Sequence, residues 1–321
     1  MASVTAVVPT WNQAALVAQV VRALKRQSAP PGRILVVDDG STDGAGEAAR
    51  SLGAETIRFD ENRGFAAAVN AGIRAVETPW VAIVNNDVEL AADWLDRLCA
   101  RMQEPDVWFA AGKLLKAANP ALLDGAFDLP CRGGLAWRAG WGMLDGEKWN
   151  QPRRIRSAPL TAVLLRRELF DRVGLLDEAF GSYLEDVDFG IRCALRGFGG
   201  VYEPGAVAWH RGSATLGEWS AQVVRLLARN QVLLAAKYRT RGAVWPTLVG
   251  QALWTLMAFR HGAGWSCLRG KWEGLSLCRR IPVETAASEG LARLFEACEG
   301  EIREIQSGRA GLFWRLYFAL T

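Results

Sequence analysis

Histidine is nearly absent from this chain, and cysteine is sparse. Of 321 residues only two are histidines, and the six cysteines (99, 131, 193, 267, 278 and 298) include no C-x-x-C pair. That scatter argues against a zinc ribbon or a disulfide framework and predicts buried free thiols. Internal repeats and low-complexity tracts are missing too. With 50% hydrophobic and 22% charged residues, the composition excludes a disordered or collagen-like chain and allows a sizeable core. The opening Met1–Thr10 has no basic stretch before its apolar residues, so no secretory signal is expected and a cytosolic location is the default.

What charge there is falls unevenly. Residues 216–281 hold ten Lys/Arg against two acids, Glu218 and Glu273, whereas residues 1–215 hold 24 basic and 26 acidic residues. The basic stretch also carries Trp219, Trp245, Trp254, Trp265 and Trp272. Basic residues interleaved with aromatics point to an anionic surface, either lipid headgroups or nucleic acid. No DNA- or RNA-binding motif is present, so a membrane surface is expected and nucleic acid is not.

The first hundred residues alternate strand and helix signals. Short strand signals, apolar at Val4–Val8, Ile34–Val37 and Trp80–Val84 and mixed at Glu55–Phe59, are separated by helical patterns at Ala14–Lys25, Gly46–Leu52 and Phe65–Val76, and Ala92–Met102 is again helical. Asn12 is placed to cap the first helix. This βαβαβαβ order predicts a mostly parallel sheet covered by helices on both faces, whose ligands sit at the carboxyl ends of the strands. Those ends read Pro9-Thr10-Trp11-Asn12, Asp38-Asp39-Gly40-Ser41-Thr42-Asp43-Gly44, Asn62-Arg63-Gly64 and Asn85-Asn86-Asp87.

From Lys113 to Arg156 the pattern is irregular, with many glycines and with Trp137, Trp141 and Trp149, a composition that suits a sugar-binding lid or simple gap filling. A strand at Thr161–Leu165, helices at Arg166–Val173 and Glu185–Arg196, and a strand at Val201–Trp209 ending on His210 follow. Beyond 216 the chain reads as helical, with one apolar face at Trp219, Val223, Leu226, Leu227 and Leu234 and another at Leu291, Leu294, Phe295, Cys298, Ile302 and Ile305. Gly242–Phe259 carries no charge and touches the lower length limit for a spanning helix, although Pro246, Gly250 and Gln251 also suit an interfacial or core helix. The expected division is 1–215 as an α/β catalytic domain and 216–321 as a helical, basic, Trp-rich extension at a membrane surface or on the acceptor side.

Carboxylates at several strand ends around one crevice suit a divalent cation and, through it, phosphates. Asp43 and Asp60 read as turn acids. Asp87 ends a fully apolar strand beside two asparagines, which makes it the stronger ligand candidate. His210 decides nothing by itself. The acids of Tyr183-Leu184-Glu185-Asp186-Val187-Asp188 open a helix, and one of them suits a general base towards a hydroxyl.

These segments, taken in order with Asn70-Ala71-Gly72, Arg166-Arg167 and Gly174-Leu175-Leu176-Asp177-Glu178, closely resemble the family 2 glycosyltransferases of the GT-A fold, in particular their rhamnosyltransferase-like branch. The resemblance covers roughly residues 3–215. It implies inverting transfer of a sugar from a nucleotide-diphosphate sugar, with Mg²⁺ or Mn²⁺, to an acceptor hydroxyl. By that resemblance Pro9, Thr10, Trp11, Asn12 and Asp39 hold the nucleoside, while Gly64, Asn70 and Asn86 lie beside the donor. Asp87 and His210 bind the metal, and Asp186, next to Glu185, is the catalytic base. Three positions depart from the family pattern. Asn85 replaces the first acid of D-x-D, Trp11 replaces the commoner tyrosine, and Leu160-Thr161-Ala162 stands where Gly-Ala is frequent.

The tail, with Arg229-Asn230 and Leu268-Arg269-Gly270, looks like tails of bacterial members that work on lipid-linked acceptors. The expectation is therefore an enzyme of cell-surface polysaccharide synthesis, peripheral at the inner face of the membrane. Its donor would be dTDP-rhamnose or a UDP-hexose, and its acceptor a glycan or a polyprenyl-diphosphate-linked glycan. Two rivals are a sugar nucleotidyltransferase and a degenerate scaffold. The first should read like G-x-G-T-R after the first strand, where Pro9-Thr10-Trp11-Asn12 stands. Against the second stand the intact Asp87, Glu185-Asp186 and His210.

Overall fold

The computed structural model describes residues 3–212, 219–283, 288–307 and 311–321. The chain divides into two compact units, Met1–Phe127 with Gly140–Gly212 and Asp128–Ala139 with Ser213–Thr321. The boundary expected at residue 215 falls outside the described residues. The second unit also takes in a hairpin, residues 128–139, that the sequence reading placed in the catalytic domain.

The first unit begins β1 (Val4–Thr10), α1 (Ala14–Lys25), β2 (Arg33–Asp38), α2 (Ala45–Ser51), β3 (Glu55–Arg58), α3 (Phe65–Arg74), β4 (Trp80–Val84), β5 (Val88–Leu90) and α4 (Trp94–Arg101). Strands β3, β2, β1 and β4 are parallel neighbours, and Thr10 lies opposite Asp38. Their carboxyl ends therefore share one edge. All the residues of β1 and β4 are buried because helices cover both faces, so these strands read as unbroken apolar runs rather than alternating ones. Helix α1 buries Val17, Val20, Val21 and Leu24, the i, i+3, i+4, i+7 face its sequence predicts. Helix α3 lies so close to β1 that a methyl group on Gly72 would sit 2.3 Å from a Val7 methyl carbon.

The expected irregular stretch is instead rich in strands. It contains β6 (Phe109–Lys116) and β7 (Asn119–Gly125), then β8 (Asp128–Cys131) and β9 (Leu135–Arg138), which form the hairpin of the second unit, and then β10 (Arg153–Ile155). Register shifts in the β6–β7 pairing, with Pro and Gly inside these strands, erase the two-residue alternation that would have revealed them. The unit closes with β11 (Ala162–Arg166), α5 (Glu168–Val173), α6 (Glu185–Leu195) and β12 (Gly200–His210). The ten-stranded sheet runs β10-β12-β6-β11-β4-β1-β2-β3, with β5 beside β12 and β7 beside β6. Strand β11 is antiparallel to both neighbours, and β12 is parallel to β6.

The β6–β12 pairing is interrupted between Glu203 and Val207, and there the Ala206 carbonyl turns towards Gly112. A methyl group on Gly112 would lie 1.9 Å from that oxygen. Gly112→Ala should therefore cost about 3 kcal/mol, the upper end for overpacking because the obstacle is backbone. Urea unfolding of the two proteins measures it, and an unchanged midpoint would mean that the strands separate freely.

The second unit packs the β8–β9 hairpin with α7 (Ala221–Lys237), α8 (Val244–Arg260), α9 (Gly264–Leu277), α10 (Ser288–Ile305) and α11 (Leu312–Leu320). The predicted stripe on α10 is buried at all six positions from Leu291 to Ile305. On the predicted α7 face Val223 and Leu234 are buried, whereas Leu226 and Leu227 are half-buried. Helices α7 and α9 cross closely because Gly270 and Gly274 have no side chain; added methyl groups would come within 2.1 Å of the Arg225 carbonyl oxygen and 2.7 Å of that of Arg229. Arg132 in the hairpin turn reaches α10, its guanidinium meeting the Glu299 carboxylate at 2.5–3.1 Å, and the Tyr317 hydroxyl of α11 donates to the same carboxylate at 3.1 Å. All six cysteines are free thiols, and five of them are buried.

Trp219 and Trp254 pack inward against Val224, Ala228, Ala258 and Cys267, so of the five tryptophans of the basic stretch 216–281 only Trp245, Trp265 and Trp272 face outward. Among the described residues no helix is long and apolar enough to cross a membrane. In the first unit Trp149 is buried and Trp141 is exposed, and in the second Trp137 is buried, so of the two uses left open for these indoles Trp137 and Trp149 take the gap-filling one.

Candidate active site

Where β1 ends, the backbone bends through two left-handed residues, Asn12 (φ 56°) and Gln13 (φ 69°). Non-glycine residues adopt that region only when their surroundings hold them there. The surroundings here are the loop after β2. The Asn12 amide donates to Ser41 Oγ at 2.8 Å, and Asn12 Oδ1 accepts from the Thr42 amide at 3.0 Å. Asn12 is thus not the expected cap of α1, because its side chain is spent on the neighbouring loop. Asp43 caps instead, accepting from the Ala14 amide at 2.7 Å and from the Ala45 amide at 3.1 Å. One turn acid serves two helices.

Pro9 is buried within β1 opposite Val37. Asn86 donates its side-chain N–H to Thr10 Oγ1 at 2.8 Å, and Thr10 Oγ1 donates to the Asn12 carbonyl at 3.2 Å. Trp11 is 37% exposed. Asp39 is buried, and its two oxygens accept from the Arg63 amide at 2.7 Å and the Gly64 amide at 2.9 Å. Burial raises its carboxyl above the ordinary range, while those two amides pull it down.

The Asp39 anchor leads on to the expected base. Gly64 is in a positive-φ conformation, and a methyl group there would press within 3.1 Å of the Gly181 backbone. Just beyond it the Ala66 amide donates to the Gly181 carbonyl at 2.8 Å and the Phe65 amide to Ser182 Oγ at 3.2 Å. Two further left-handed residues follow, Tyr183 (φ 74°) and Leu184 (φ 66°), immediately before α6. Of the three acids opening that helix, Asp188 is fully buried and pairs with Arg192 at 2.9 Å, and Glu185 is buried. Asp186 is half-buried, with Oδ1 accepting from the Val187 amide at 2.8 Å. It alone of the three is partly open to solvent. Asn70 is buried, giving both ends of its amide to the Leu176 backbone at 2.9 Å and an N–H to Glu178 at 3.0 Å. It holds the 176–178 loop in place.

At the next strand end three side chains form a row. His210 Nε2 lies 3.3 Å from Asp87 Oδ1, and His210 Nδ1 lies 2.9 Å from Asp124 Oδ2. Strand β12 delivers His210 beside β5, with His210 opposite Val88. Burial pulls the imidazole down, but the two carboxylates together outweigh it and His210 is pushed up to about 9. Each ring nitrogen thus faces one carboxylate. Asp124 is a site residue that the sequence reading missed. Its signal was a lone acid in the otherwise apolar run from Ala121 to Phe127, where a buried carboxylate needs a partner.

The row suits a hard divalent cation. Adjacent ligands on an octahedron with ~2.1 Å bonds are about 3 Å apart, close to the 3.3 Å between Asp87 Oδ1 and His210 Nε2. Asp124 on the opposite ring nitrogen would fix the tautomer that leaves Nε2 free to ligate. Nearby in sequence, Asn85 Oδ1 is a buried oxygen with no hydrogen-bond partner. No group of three or more His, Cys, Asp or Glu able to hold a metal occurs among the described residues. Mg²⁺ and Mn²⁺ accept mixed shells.

Comparison with known proteins agrees with this architecture. Residues 5–124 match the family described as "Glycosyl transferase family 2". The chain is 28% identical over 211 residues to an N-acetylglucosaminyl-diphospho-decaprenol L-rhamnosyltransferase of Mycobacterium tuberculosis, covering 58% of this chain and 69% of that one. It is 29% identical over 275 residues to a pre-mycofactocin glycosyltransferase of the same organism, covering 81% of this chain and about half (54%) of that one. Among solved structures, GalNAc-T7 with UDP, GalNAc and Mn²⁺ matches with a TM-score of 0.64 at 13% identity, over 96% of this chain and 58% of that one. A mannosyltransferase of Pyrobaculum calidifontis in complex with GDP-Man and Mn²⁺ matches with a TM-score of 0.55 at 18% identity, over 99% of this chain and 86% of that one. The strand order, the polar loops on one sheet edge and these likenesses agree: residues 5–124 carry a glycosyl transferase family 2 domain, and the fold is the GT-A fold of its structural neighbours.

Proposed function

We propose that the protein moves a sugar, with rhamnose first among the candidates, from a nucleotide-diphosphate donor to a hydroxyl of a glycan or polyprenyl-diphosphate-linked glycan, inverting the anomeric centre. The observation that carries this reading is the Asp87–His210–Asp124 row on the sheet edge that also ends in Thr10 and Asp38. The name of the mycobacterial rhamnosyltransferase supports the choice of sugar and of a lipid-linked acceptor. Such an acceptor would place the enzyme at the inner face of a membrane, in the synthesis of a cell-surface polysaccharide.

In this reading Thr10, Trp11, Asn12 and Asp39 take the nucleoside, with Trp11 stacking on the base and Asp39 facing its polar edge. Asp87 and His210 would hold Mg²⁺ or Mn²⁺, which would supply positive charge to compensate the diphosphate. Asp186 accepts the proton of the acceptor hydroxyl as its oxygen attacks the anomeric carbon. The new C–O bond forms on the face opposite the breaking bond, and the diphosphate oxygen keeps that bond's electron pair. A single displacement of this kind needs one base and no enzyme nucleophile.

Calorimetric titration with dTDP, UDP, GDP and CMP, each with and without Mn²⁺, tests the donor pocket. Metal-dependent binding of dTDP or UDP alone is the expected result. Silence from all four would remove the donor assignment.

A further inference from the structure

The second unit carries an apolar surface that its own core does not use. Of the fifteen exposed large apolar side chains among the described residues, all but Trp11, Trp141 and Leu144 lie between Val244 and Leu320. They fall on helical stripes. On α9 the outward positions are Trp265, Leu268, Trp272 and Leu275, spaced by three, four and three residues, with Trp265 79% and Trp272 75% exposed. On α8 they are Val244, Trp245, Leu248, Leu256 and Phe259, and on α11 Leu312, Leu316 and Leu320.

Two contacts join the stripes into one surface. The Trp245 indole N–H of α8 donates to the Leu320 carbonyl of α11 at 2.7 Å. The Phe259 ring at the end of α8 meets the Trp265 ring at the start of α9 edge-on, with centroids 5.8 Å apart. Trp254 and Trp219 fill the opposite side of α8, so the outward stripe is a second face of that helix. An apolar area spread over three helices is larger than a soluble surface ordinarily leaves open.

Charge identifies the occupant. Helices α8, α9 and α11 contain Arg260, Arg269, Lys271 and Arg315 and a single acid, Glu273. That acid is already engaged by Arg225 at 3.3 Å and Arg269 at 3.1 Å. Arg260, Arg269 and Arg315 are exposed, and each directly adjoins an exposed apolar residue (Phe259, Leu268 and Leu316). Indoles and leucines bordered by arginines match the boundary between acyl chains and anionic headgroups, where arginine stems stay in the apolar layer and their heads reach phosphate. A protein partner would need a complementary acidic and apolar patch; the exposed acids of this unit, Glu289, Glu296 and Glu304, lie on α10, and a second copy is therefore an outcome the test separates.

We propose that the α8–α9–α11 face lies flat in the headgroup region of an anionic bilayer, with Trp265 and Trp272 inserted. This deepens the membrane-surface part of the functional reading but stands on the second unit alone. The test uses the full chain with acceptor-free vesicles, either pure phosphatidylcholine or phosphatidylcholine mixed with phosphatidylglycerol. The protein should sediment with the mixed vesicles and bind the neutral ones less, by about fivefold for each arginine engaged. Brominated acyl chains should quench its tryptophan fluorescence. Trp265→Glu combined with Trp272→Glu should lower binding by at least about tenfold and abolish most of the quenching, while nucleotide titration, which reads the transferase assignment separately, stays unchanged. Protein that remains in the supernatant with mixed vesicles overturns the proposal, as does a dimer in sedimentation velocity that the double substitution dissociates. Should that variant fold poorly, the quenching of the unmodified protein still decides.

Discussion

Asp186→Asn should lower the turnover number by about a thousandfold, within the range expected for loss of a general base, with the dissociation constant of the donor nucleotide nearly unchanged. The amide keeps the oxygen that accepts from the Val187 amide at 2.8 Å, so the first turn of α6 has no reason to move. What it cannot do is take a proton. Comparing initial rates with calorimetric binding separates the two effects. A parallel loss of donor binding would make Asp186 a binding or structural residue, and turnover within tenfold of the unmodified enzyme would remove it as base. Glu185→Gln is the natural companion, since Glu185 is buried one residue earlier and its substitution reports on packing at the same turn.

Asp87→Ala should cost transfer about a hundred- to a thousandfold, the magnitude seen when a preorganised stabiliser of transition-state charge is removed. It should also erase the Mn²⁺-dependent part of nucleotide binding. The row explains why so few charges suffice. Asp87 Oδ1 and His210 Nε2 are 3.3 Å apart, and Asp124 aligns the ring from the other side at 2.9 Å. With Asn85 in place of a first acid, Asp87 is the one carboxylate of the strand-end run Asn85-Asn86-Asp87. Titration of nucleotide with and without Mn²⁺ on the variant is the check. A variant that still binds in a metal-dependent way would shift the cation to residues not named here.

What the sequence revealed, and what it hid, follows from how each signal arises. Strands β1, β2 and β4 are enclosed by helices, and their short apolar runs ended by polar turns are easy to read. The α10 stripe is equally plain, since one face of a long helix has one job. The stretch after Lys113 was opaque because its strands carry glycine and proline and shift register, which destroys alternation. Asn12 looked like a cap because asparagine before a helix usually is one. The competing bond to Thr42 comes from a loop thirty residues away, and local pattern carries no trace of it. Asp124 was hidden for the same reason, its partner being 86 positions distant. Among the five tryptophans of the basic stretch 216–281, composition could not tell the inward pair, Trp219 and Trp254, from the three that face out.

The Arg132–Glu299 pair sets a clock on biosynthesis. The two residues are separated by 167 positions, so a ribosome adding 5–20 residues per second needs roughly 8–33 s after making the hairpin to supply its partner. Throughout that interval Leu129, Leu135 and Trp137, all buried in the finished protein, have nothing from α10 or α11 to cover them. The nascent chain thus emerges with a sticky strand pair waiting for helices not yet translated. Slow codons between 140 and 290 would lengthen the exposure, and a chaperone that shields short apolar hairpins would shorten its consequences.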